Sequence, residues 1–379
     1  MICREKELCV GCFSCYNICP KHCIIMEKDE EGFFYPRIDK NNCIECKKCE
    51  QACPILQEEI QISERDAYAA VSKNAEIVKK SSSGGLFSVF AQAVLEENGI
   101  VYGAGFNDDY TIEHKGIFLK KDLEKLLGSK YVQSRIGDVY REVEQKLNAG
   151  EFVYFSGTPC QVNGLKSFLK KEYKNLICQD IICHGTPSQK MWEHYLKPFK
   201  LKKGAKISFR DKSIGWETYS FVICQGKKMF KQRADDNLYM RAFINNYTLR
   251  PSCYSCKIKG ENRKSDITLG DFWGAKNVCP DFYDRNGVSL VVLNSERGRI
   301  FFEENRSNIQ CIRVELKEAI KHNPSYEVAS SLPGNREQFM QELFNNNFNR
   351  VVSHYCKQSW LLKIKIIAYR VLNKLNKKL

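Results

Sequence analysis

The sequence lacks the features that would place it in or across a membrane. No stretch of its 379 residues reaches the roughly 18 uninterrupted apolar residues that a membrane-spanning helix requires. Met1 is followed closely by Cys3, Arg4 and Glu5, without the apolar segment of a secretory signal peptide. From these absences we expect a cytoplasmic protein.

The chain also lacks a recognisable nucleic-acid-binding motif, although its formal net charge is +14. The basic residues are spread along the chain and are not gathered into one block. Positive charge without such a motif does not by itself predict nucleic-acid binding. We therefore expect no nucleic-acid partner.

Cysteine, in contrast, is abundant, with 19 residues. Many cysteines in a chain without an export signal indicate metal-bound thiolates in a reducing compartment, rather than disulfides. Two runs share the spacing C-x2-C-x2-C-x3-C-P, and their members are Cys9, Cys12, Cys15, Cys19 and Cys43, Cys46, Cys49, Cys53. This spacing is typical of ferredoxins that hold two [4Fe-4S] clusters.

The two runs also predict which cysteines share a cluster. In a two-cluster ferredoxin the first three thiolates of a run bind one cluster, and the fourth binds the other. One cluster is therefore assigned to Cys9, Cys12, Cys15 and Cys53, and the second to Cys43, Cys46, Cys49 and Cys19. Structural zinc is the main alternative, but a zinc ion needs four ligands and usually takes paired C-x2-C hairpins or histidine. Two complete runs favour the clusters.

The rest of the chain predicts a larger body of mixed secondary structure. From Asp66 onward, short apolar strands alternate with helical patterns, including a helix that Ser83 is expected to cap. We expect an α+β or mixed α/β fold in which the body binds flavin. The expected parts are a dicluster ferredoxin domain in 1–56, body domains in 66–147 and 150–320, and a helical basic tail in 335–379.

Several motifs of the body come in an order that resembles one known family. They are Ser81–Gly85, Gly128–Ser134, Ser156–Gln161, Cys183–Ser188, Phe209–Lys212, Pro251–Cys256 and Gly270–Gly274. Together with the fused ferredoxin runs, they are similar to the beta subunits of coenzyme F420 hydrogenases and dehydrogenases. The resemblance covers approximately residues 1–320.

This resemblance implies an iron–sulfur flavoprotein that binds FAD and passes electrons between its clusters and an organic acceptor. Members of the family serve a deazaflavin, a formate dehydrogenase partner or a chlorophyll-type tetrapyrrole. Stand-alone bacterial members occur with polysaccharide-biosynthesis functions, and the chain is similar to that class. We expect an oxidoreductase that receives electrons from a ferredoxin or another redox protein and acts on a small organic molecule. The alternative is a non-catalytic electron-transfer subunit of a larger oxidoreductase.

Four further cysteines form a second candidate metal site. Cys253 and Cys256 give one C-x2-C pair, while Cys160 and Cys183 each follow a predicted strand. The thiolate chemistry and the family resemblance favour a third [4Fe-4S] cluster on these four residues. Two alternatives stay open: Cys160 and Cys183 are small buried residues, or Cys160 is a nucleophile with His184 as its base.

The residues expected to contact FAD come from the same family motifs. A loop of small residues before a helix can hold a pyrophosphate on its backbone amides, and its members are Ser82, Ser83, Gly84 and Gly85. Beside the isoalloxazine ring, where a cation or an N–H donor stabilises reduced flavin, we expect Lys130, Gln133, Ser134, Gly157 and Thr158. The alternatives are a simple helix cap for the loop and a solvated position for Lys130.

Two basic features complete the predictions. Arg210 and Lys212 can hold an anionic substrate, with a salt bridge at a strand end as the equal alternative. From Lys357 to Leu379 the chain is basic and contains no acidic residue. Such an amphipathic helix can lie on an anionic membrane surface, so peripheral membrane association is one expectation, and docking on the body or a partner is the other.

Overall fold

A computed structural model describes residues 5–57 and 64–357. Its N-terminal part is a small ferredoxin-like unit built on an antiparallel hairpin and two short helices. The elements are α1 (Ser14–Ile18), β1 (Ile24–Lys28), β2 (Phe34–Ile38) and α2 (Lys48–Gln51). The residue before each helix, Phe13 or Lys47, has a positive φ of 66° or 58°. The two cysteine runs thus fold around equivalent tight turns.

The body contains the remaining strands and helices. The strands are β3 (Asp66–Ser72), β4 (Ile100–Phe106), β5 (Ile112–Ile117), β6 (Val153–Gly157), β7 (Leu176–Ile181), β8 (Lys206–Asp211), β9 (Ser220–Gln225), β10 (Lys228–Arg233), β11 (Ile267–Asp271), β12 (Ser289–Leu293) and β13 (Ile309–Val314). The helices are α3 (Ala75–Lys80), α4 (Leu86–Glu96), α5 (Val139–Asn148), α6 (Pro159–Leu169), α7 (Gln189–Leu196), α8 (Leu238–Ile244), α9 (Ala275–Val278), α10 (Glu296–Glu304), α11 (Leu316–Ile320), α12 (Arg336–Asn345) and α13 (Phe348–Tyr355).

Within the described residues, eight of these strands form one mixed sheet in the order β13-β3-β12-β11-β7-β6-β4-β5. The central strands β11, β7, β6 and β4 run parallel, whereas the outer pairs are antiparallel. A smaller antiparallel sheet has the order β10-β9-β8. Because parallel strands end at the same edge of a sheet, the loops that follow β6, β7 and β11 meet there.

The central strands are covered on both faces, which explains why most of their residues are apolar. Every residue of β12 is buried, as are the first three residues of β6. Helices α4 and α10 pack on one face through Phe90 and Phe301, and helices α5 and α6 pack on the other through Val143 and Leu165. A third core around Trp192 joins the small sheet to the C-terminal helices.

The mixed architecture predicted from the sequence, a small ferredoxin-like unit followed by a larger mixed-sheet body, is confirmed. One local prediction is wrong, because the N-cap of α4 is Gly85 and not Ser83. The Ser83 hydroxyl donates instead to the Val288 carbonyl at 2.9 Å, which ties this loop to the start of β12.

Helices α12 and α13 occupy the first part of the predicted basic tail, and residues 358–379 lie outside the described ranges. No helix of 5–57 or 64–357 is long and apolar enough to cross a membrane.

Candidate functional site

The cysteines of the two runs gather into two sets in space. In the inner set (Cys9, Cys12, Cys15 and Cys53), burial raises the thiol pKa of Cys12 and Cys15, and nearby thiolates of the same set raise it further. In the outer set (Cys19, Cys43, Cys46 and Cys49), burial raises the pKa of Cys49, with Cys46, Cys19 and Cys43 as its charged neighbours. The fourth cysteine of each run therefore lies with the first three of the other, as a two-cluster ferredoxin requires.

The inner and outer sets have the number and kind of ligands that cubane clusters take. Among the described residues, no group of three or more Cys, His, Asp or Glu side chains could hold a single metal ion. Each iron of a cubane takes one thiolate, so the four cysteines of each set match the ligand number of one [4Fe-4S] cluster. Iron bound to these thiols would keep them ionised, although burial raises the pKa of the free groups.

Cys23 adds a fifth sulfur beside the outer set, which the spacing of the runs gives no reason to expect. The sulfur atoms of Cys23 and Cys19 lie 3.4 Å apart. Burial, assisted by the contact with Cys19, raises the pKa of Cys23 to about 12. Cys23 is therefore a protonated thiol at neutral pH, and its S–H can donate to a ligand thiolate and tune the cluster beside it.

A body set (Cys160, Cys183, Cys253 and Cys256) lies in the loops at the edge of the large sheet. Cys160 lies in the first turn of α6, directly after β6, and Cys183 follows β7. Cys253 and Cys256 lie near both residues, because their thiolate charges raise the pKa of Cys160 and of Cys183. Burial raises the pKa of Cys160 to about 12. A thiol with such a raised pKa is a poor free nucleophile.

The three sets form a row. The outer set adjoins the inner set through Cys49 and Cys15. The inner set adjoins the body set at α6, where a Cβ on Gly164 would lie 2.8 Å from the Cβ of Cys12. Because this approach leaves no room for a side chain at 164, α6 packs directly against the first cysteine run. Cys12 is also a charged neighbour of Cys160.

A cavity of about 530 Å³ opens beside the body set, and Cys183 is part of its wall. Its size lies within the range of cofactor sites. Most of the residues predicted to contact FAD line it, namely Ser82, Ser83, Gly85, Lys130, Gln133, Ser134, Gly157 and Thr158. Arg210 lines it as well. The loops after β6, β7 and β11 therefore bring together motifs that are far apart in the sequence.

Gly84 and Lys212 are not part of the cavity wall. The Gly84 amide donates to the Ser289 hydroxyl at 3.0 Å, and a Cβ at this position would lie 2.5 Å from the Ala70 carbonyl oxygen. The Lys212 ammonium donates to the carbonyls of Val78, Ser83 and Asn286 at 2.7, 2.9 and 2.5 Å. The contacts of both residues therefore fix the position of the 81–85 loop.

Arg210 forms the strand-end salt bridge that is the alternative to substrate binding. Its guanidinium donates to both carboxylate oxygens of Asp271 at 2.9 and 3.0 Å, and the Trp216 indole donates to the same carboxylate at 2.6 Å. Although burial opposes the charge, Asp271 raises the pKa of Arg210. The Nε atom of Arg210 has no hydrogen-bond partner within the described ranges.

A buried hydrogen-bond chain, which sequence reasoning missed, connects the cavity to the body set. His114 Nε2 donates to the Ser156 carbonyl at 3.0 Å, so its Nδ1 accepts from the Ser134 hydroxyl at 2.8 Å. Gln161 Nε2 donates to the same hydroxyl at 3.0 Å. Thr158 Oγ1 lies 3.0 Å from Gln161 Oε1 and 3.1 Å from the Cys160 sulfur. Burial lowers the pKa of His114 to about 4, which keeps this imidazole neutral.

Lys130 and Gln133 are two polar residues of the cavity wall. The Lys130 ammonium donates to the carbonyls of Leu126 and Leu127 at 2.7 and 2.9 Å. Burial, with a smaller effect of Lys115, lowers the pKa of Lys130 to about 7. Gln133 Nε2 donates to the Val10 carbonyl at 3.1 Å, which links the cavity to the loop of the inner set.

Comparison with known proteins identifies both parts of the chain. Residues 150–319 match the family described as the C terminus of the coenzyme F420 hydrogenase/dehydrogenase beta subunit. Residues 8–55 match the 4Fe-4S dicluster domain. The chain is related to this beta-subunit family. The resemblance expected from the ordered motifs is confirmed over these ranges, and the dicluster match supports the two ferredoxin-type clusters.

Two curated relatives match the ferredoxin part. An uncharacterized ferredoxin of Methanocaldococcus jannaschii is 44% identical over 50 residues, which are 13% of this chain and 64% of the relative. NADH-quinone oxidoreductase subunit I 2 of Geobacter metallireducens is 39% identical over 57 residues, which are 14% of this chain and 44% of the relative. The chain thus spans less than two thirds of the length of either relative.

A solved structure is similar over a longer range. It is a chain of the F420-reducing [NiFe] hydrogenase complex from Methanosarcina barkeri, with a TM-score of 0.45 and 16% identity over 78% of this chain and 94% of that chain. The sequence matches relate this chain to electron-transferring iron–sulfur proteins of oxidoreductases.

Proposed function

We propose that the protein is an iron–sulfur flavoprotein oxidoreductase. The outer, inner and body sets would each hold a [4Fe-4S] cluster that carries single electrons inward from the outer set, and the cavity would hold FAD. The flavin would supply the electron pair that reduces a small organic acceptor. The observation that carries the proposal is the continuous row of sulfur sets, whose last member contributes Cys183 to the cavity wall.

The outer end of the row supports electron entry from another protein. Cys46 is exposed at the surface, and its neighbour Ile44 is 57% exposed. An apolar side chain beside an accessible cluster ligand provides a contact point for a ferredoxin or a similar redox protein. The donor therefore approaches the outer cluster without reaching the buried inner set.

The polar wall of the cavity supports FAD as its occupant. Gly85 has a φ of 91°, and this turn brings the small residues of the 81–85 loop to the N-terminus of α4. Backbone amides and the helix dipole at this end favour a pyrophosphate. Two nitrogen atoms of the wall, Arg210 Nε and His184 Nε2, lack a partner among the described residues and can form hydrogen bonds with a polar ligand.

The chain's own residues would set the charge around the flavin. FAD supplies the chemistry that converts single electrons from clusters into a two-electron reduction. Lys130 can hold a proton, and therefore a positive charge, against the anionic reduced ring. His114 stays neutral and fixes the Ser134 hydroxyl, while Thr158 keeps the cavity side of Cys160 hydrogen-bonded.

Cofactor analysis tests this proposal directly. Protein purified without oxygen should contain about 12 iron atoms, with matching sulfide, and one FAD per chain, because three cubanes hold four irons each. A value near 8 iron atoms would contradict the third cluster. Lack of flavin after reconstitution with FAD would contradict the proposed enzyme function. Dithionite-reduced protein can then be screened against organic acceptors, including deazaflavins and nucleotide sugars of polysaccharide biosynthesis.

A pair of cysteine variants examines the body set within the same experiment. Cys160→Ser should lower the iron content by about four atoms while the two ferredoxin clusters remain. Cys279→Ser is the matched control, because Cys279 is a buried thiol that lies in a separate core beside α9. Iron content unchanged in both variants would contradict ligation by Cys160 and return it to the role of a free thiol.

A further inference from the structure

Arg250 extends from the body into the ferredoxin part and is almost completely buried, with 1% of its surface exposed. Its Nε donates to the Cys9 carbonyl at 2.7 Å. Its Nη2 donates to the Phe34 carbonyl at 2.9 Å and lies 3.7 Å from the Cys9 sulfur. The guanidinium therefore lies directly against a ligand of the inner set.

The environment of Arg250 is shaped to hold the guanidinium in place. The guanidinium lies over the Tyr35 ring, with 4.2 Å from its central carbon to the ring centroid. Its Nη1 donates to Gln133 Oε1 at 3.1 Å. On the other side, a Cβ on Gly11 would lie 2.7 Å from Nη1, and Gly11 has a φ of 63°. Glycine at this position gives the guanidinium room to reach the loop of the inner set.

No carboxylate of the described chain lies within ion-pair distance of Arg250. Other deeply buried arginines do have such partners. Arg263 pairs with Asp180 at 2.9 Å, and both side chains are fully buried. Arg210 pairs with Asp271. An arginine cannot lose its proton in a protein, and a buried charge without a counter-charge is strongly unfavourable. The position of Arg250 therefore requires a negative group that is not a carboxylate.

A sulfur ligand of the inner set supplies that charge. The Cys9 sulfur lies 3.7 Å from Nη2 of Arg250. A [4Fe-4S] cluster with four thiolates carries net negative charge, which increases when it accepts an electron. A fixed cation next to such a cluster favours the reduced state.

We propose that Arg250 is the counter-cation of the inner cluster and raises its reduction potential, so that an electron moves inward from the outer cluster. In this step one electron leaves the reduced outer cluster, which becomes oxidised, and the inner cluster is reduced by the same electron. No proton is transferred. The inference deepens the proposed function, since it gives the ferredoxin part a direction of flow, but it requires only the two ferredoxin clusters.

Replacement of Arg250 by glutamine tests the proposal in the full chain. Arg250→Gln keeps hydrogen-bonding capacity but removes the charge, so reduction of the inner cluster should become at least tenfold less favourable. For a one-electron couple this corresponds to about 59 mV. The measurement is a dithionite titration followed by electron paramagnetic resonance. One reduction wave should move to lower potential, and the wave of the outer cluster should stay in place.

Two further variants separate charge from structure. Arg141 also joins the body to the ferredoxin part, donating to the Asn17 and Tyr16 carbonyls at 2.8 Å each, but within residues 5–57 and 64–357 it has no hydrogen bond to a sulfur atom. Arg141→Gln should therefore leave both ferredoxin potentials unchanged. Arg250→Lys keeps a positive charge, although it loses the planar guanidinium. The equilibrium constant for reduction of its inner cluster should therefore stay within about twofold of the wild-type value.

Equal potentials in wild-type and Arg250→Gln protein would overturn the proposal. If Arg250→Gln fails to fold, Arg250→Lys decides: a tenfold shift despite the retained charge would also overturn it. An equal shift in Arg141→Gln would show that loosened packing, not charge, sets the potential. Flavin content is measured on the same samples, so a chain without FAD would refute the proposed enzyme while leaving this result intact.

Discussion

Lys130 is a residue whose charge depends on its surroundings. Its pKa in the folded chain is about 7 because of burial, whereas a lysine in an unfolded chain has a pKa of about 10.4. Between these values the unfolded state binds more protons than the folded state, so the stability of the wild-type protein rises with pH. Below pH 7 Lys130 is protonated in both states, so the folded state bears the full free-energy cost of burying its charge.

Replacement of Lys130 by methionine should remove this dependence. The stability of Lys130→Met relative to wild type should be highest at and below pH 7 and decline by roughly 1–3 kcal/mol as the pH rises toward 10. Thermal unfolding of the anaerobic protein at several pH values measures the difference. Lys79→Met, at an exposed position, is the control and should show a constant difference. A constant difference for Lys130→Met would contradict the lowered pKa.

Residues differ in how far the sequence predicts them. The eight ferredoxin cysteines are recognisable because their spacing is local and the cluster itself sets it. His114 and Arg250 have no such pattern, since each acts on residues far away in the chain, and Arg250 is 241 residues from Cys9. Their roles follow from burial and from the partners that folding brings to them.

Secondary-structure elements also differ in how well the sequence predicts them. Strands β6 and β12 are predictable because a strand covered on both faces is a largely apolar run. The edge strands β10 and β13 give no such signal, as most of their side chains are exposed or half-buried. The helix start predicted at Ser83 is wrong because the serine has a better partner in the Val288 carbonyl, which a capping rule does not include.

Gly84 shows how an element of the cavity depends on close packing. A Cβ at this position would lie 2.5 Å from the Ala70 carbonyl and 2.9 Å from the Ser289 nitrogen, both on strands of the large sheet. Gly84→Ala should therefore destabilise the protein by about 1–3 kcal/mol, as overpacking does in cores, and weaken flavin retention.

Gly334→Ala is the matched control for this change. A Cβ on Gly334 would contact nothing within 4 Å, and its φ is not in the left-handed region. Its unfolding temperature should stay close to the wild-type value, while that of Gly84→Ala falls. Equal unfolding temperatures for the two variants would show that the loop can move away from β3 and β12 without cost.

At the scale of the whole molecule, the two halves of the ferredoxin part are held by different forces. The inner half packs on the body: Phe13 is buried in the core of α5 and α6, and Arg250 and Arg336 extend to it, with Arg336 donating to both oxygens of Glu31 at 2.9 and 2.5 Å. The outer half has little such support, because residues 39–51 contain no buried side chain.

Removal of iron should therefore destabilise the outer half more than the inner half. With only the small apolar cluster around Cys23 and Ile24 to pack against, residues 39–51 depend mainly on bonds to their iron–sulfur cluster, and metal binding supplies the folding free energy of such a segment. After anaerobic chelation, amide hydrogen exchange should become fast across residues 39–51, while β6 and β7 in the centre of the large sheet stay protected. Equal protection of residues 39–51 before and after chelation would contradict this dependence, and loss of protection at β6 would show that the body also requires its metal to fold.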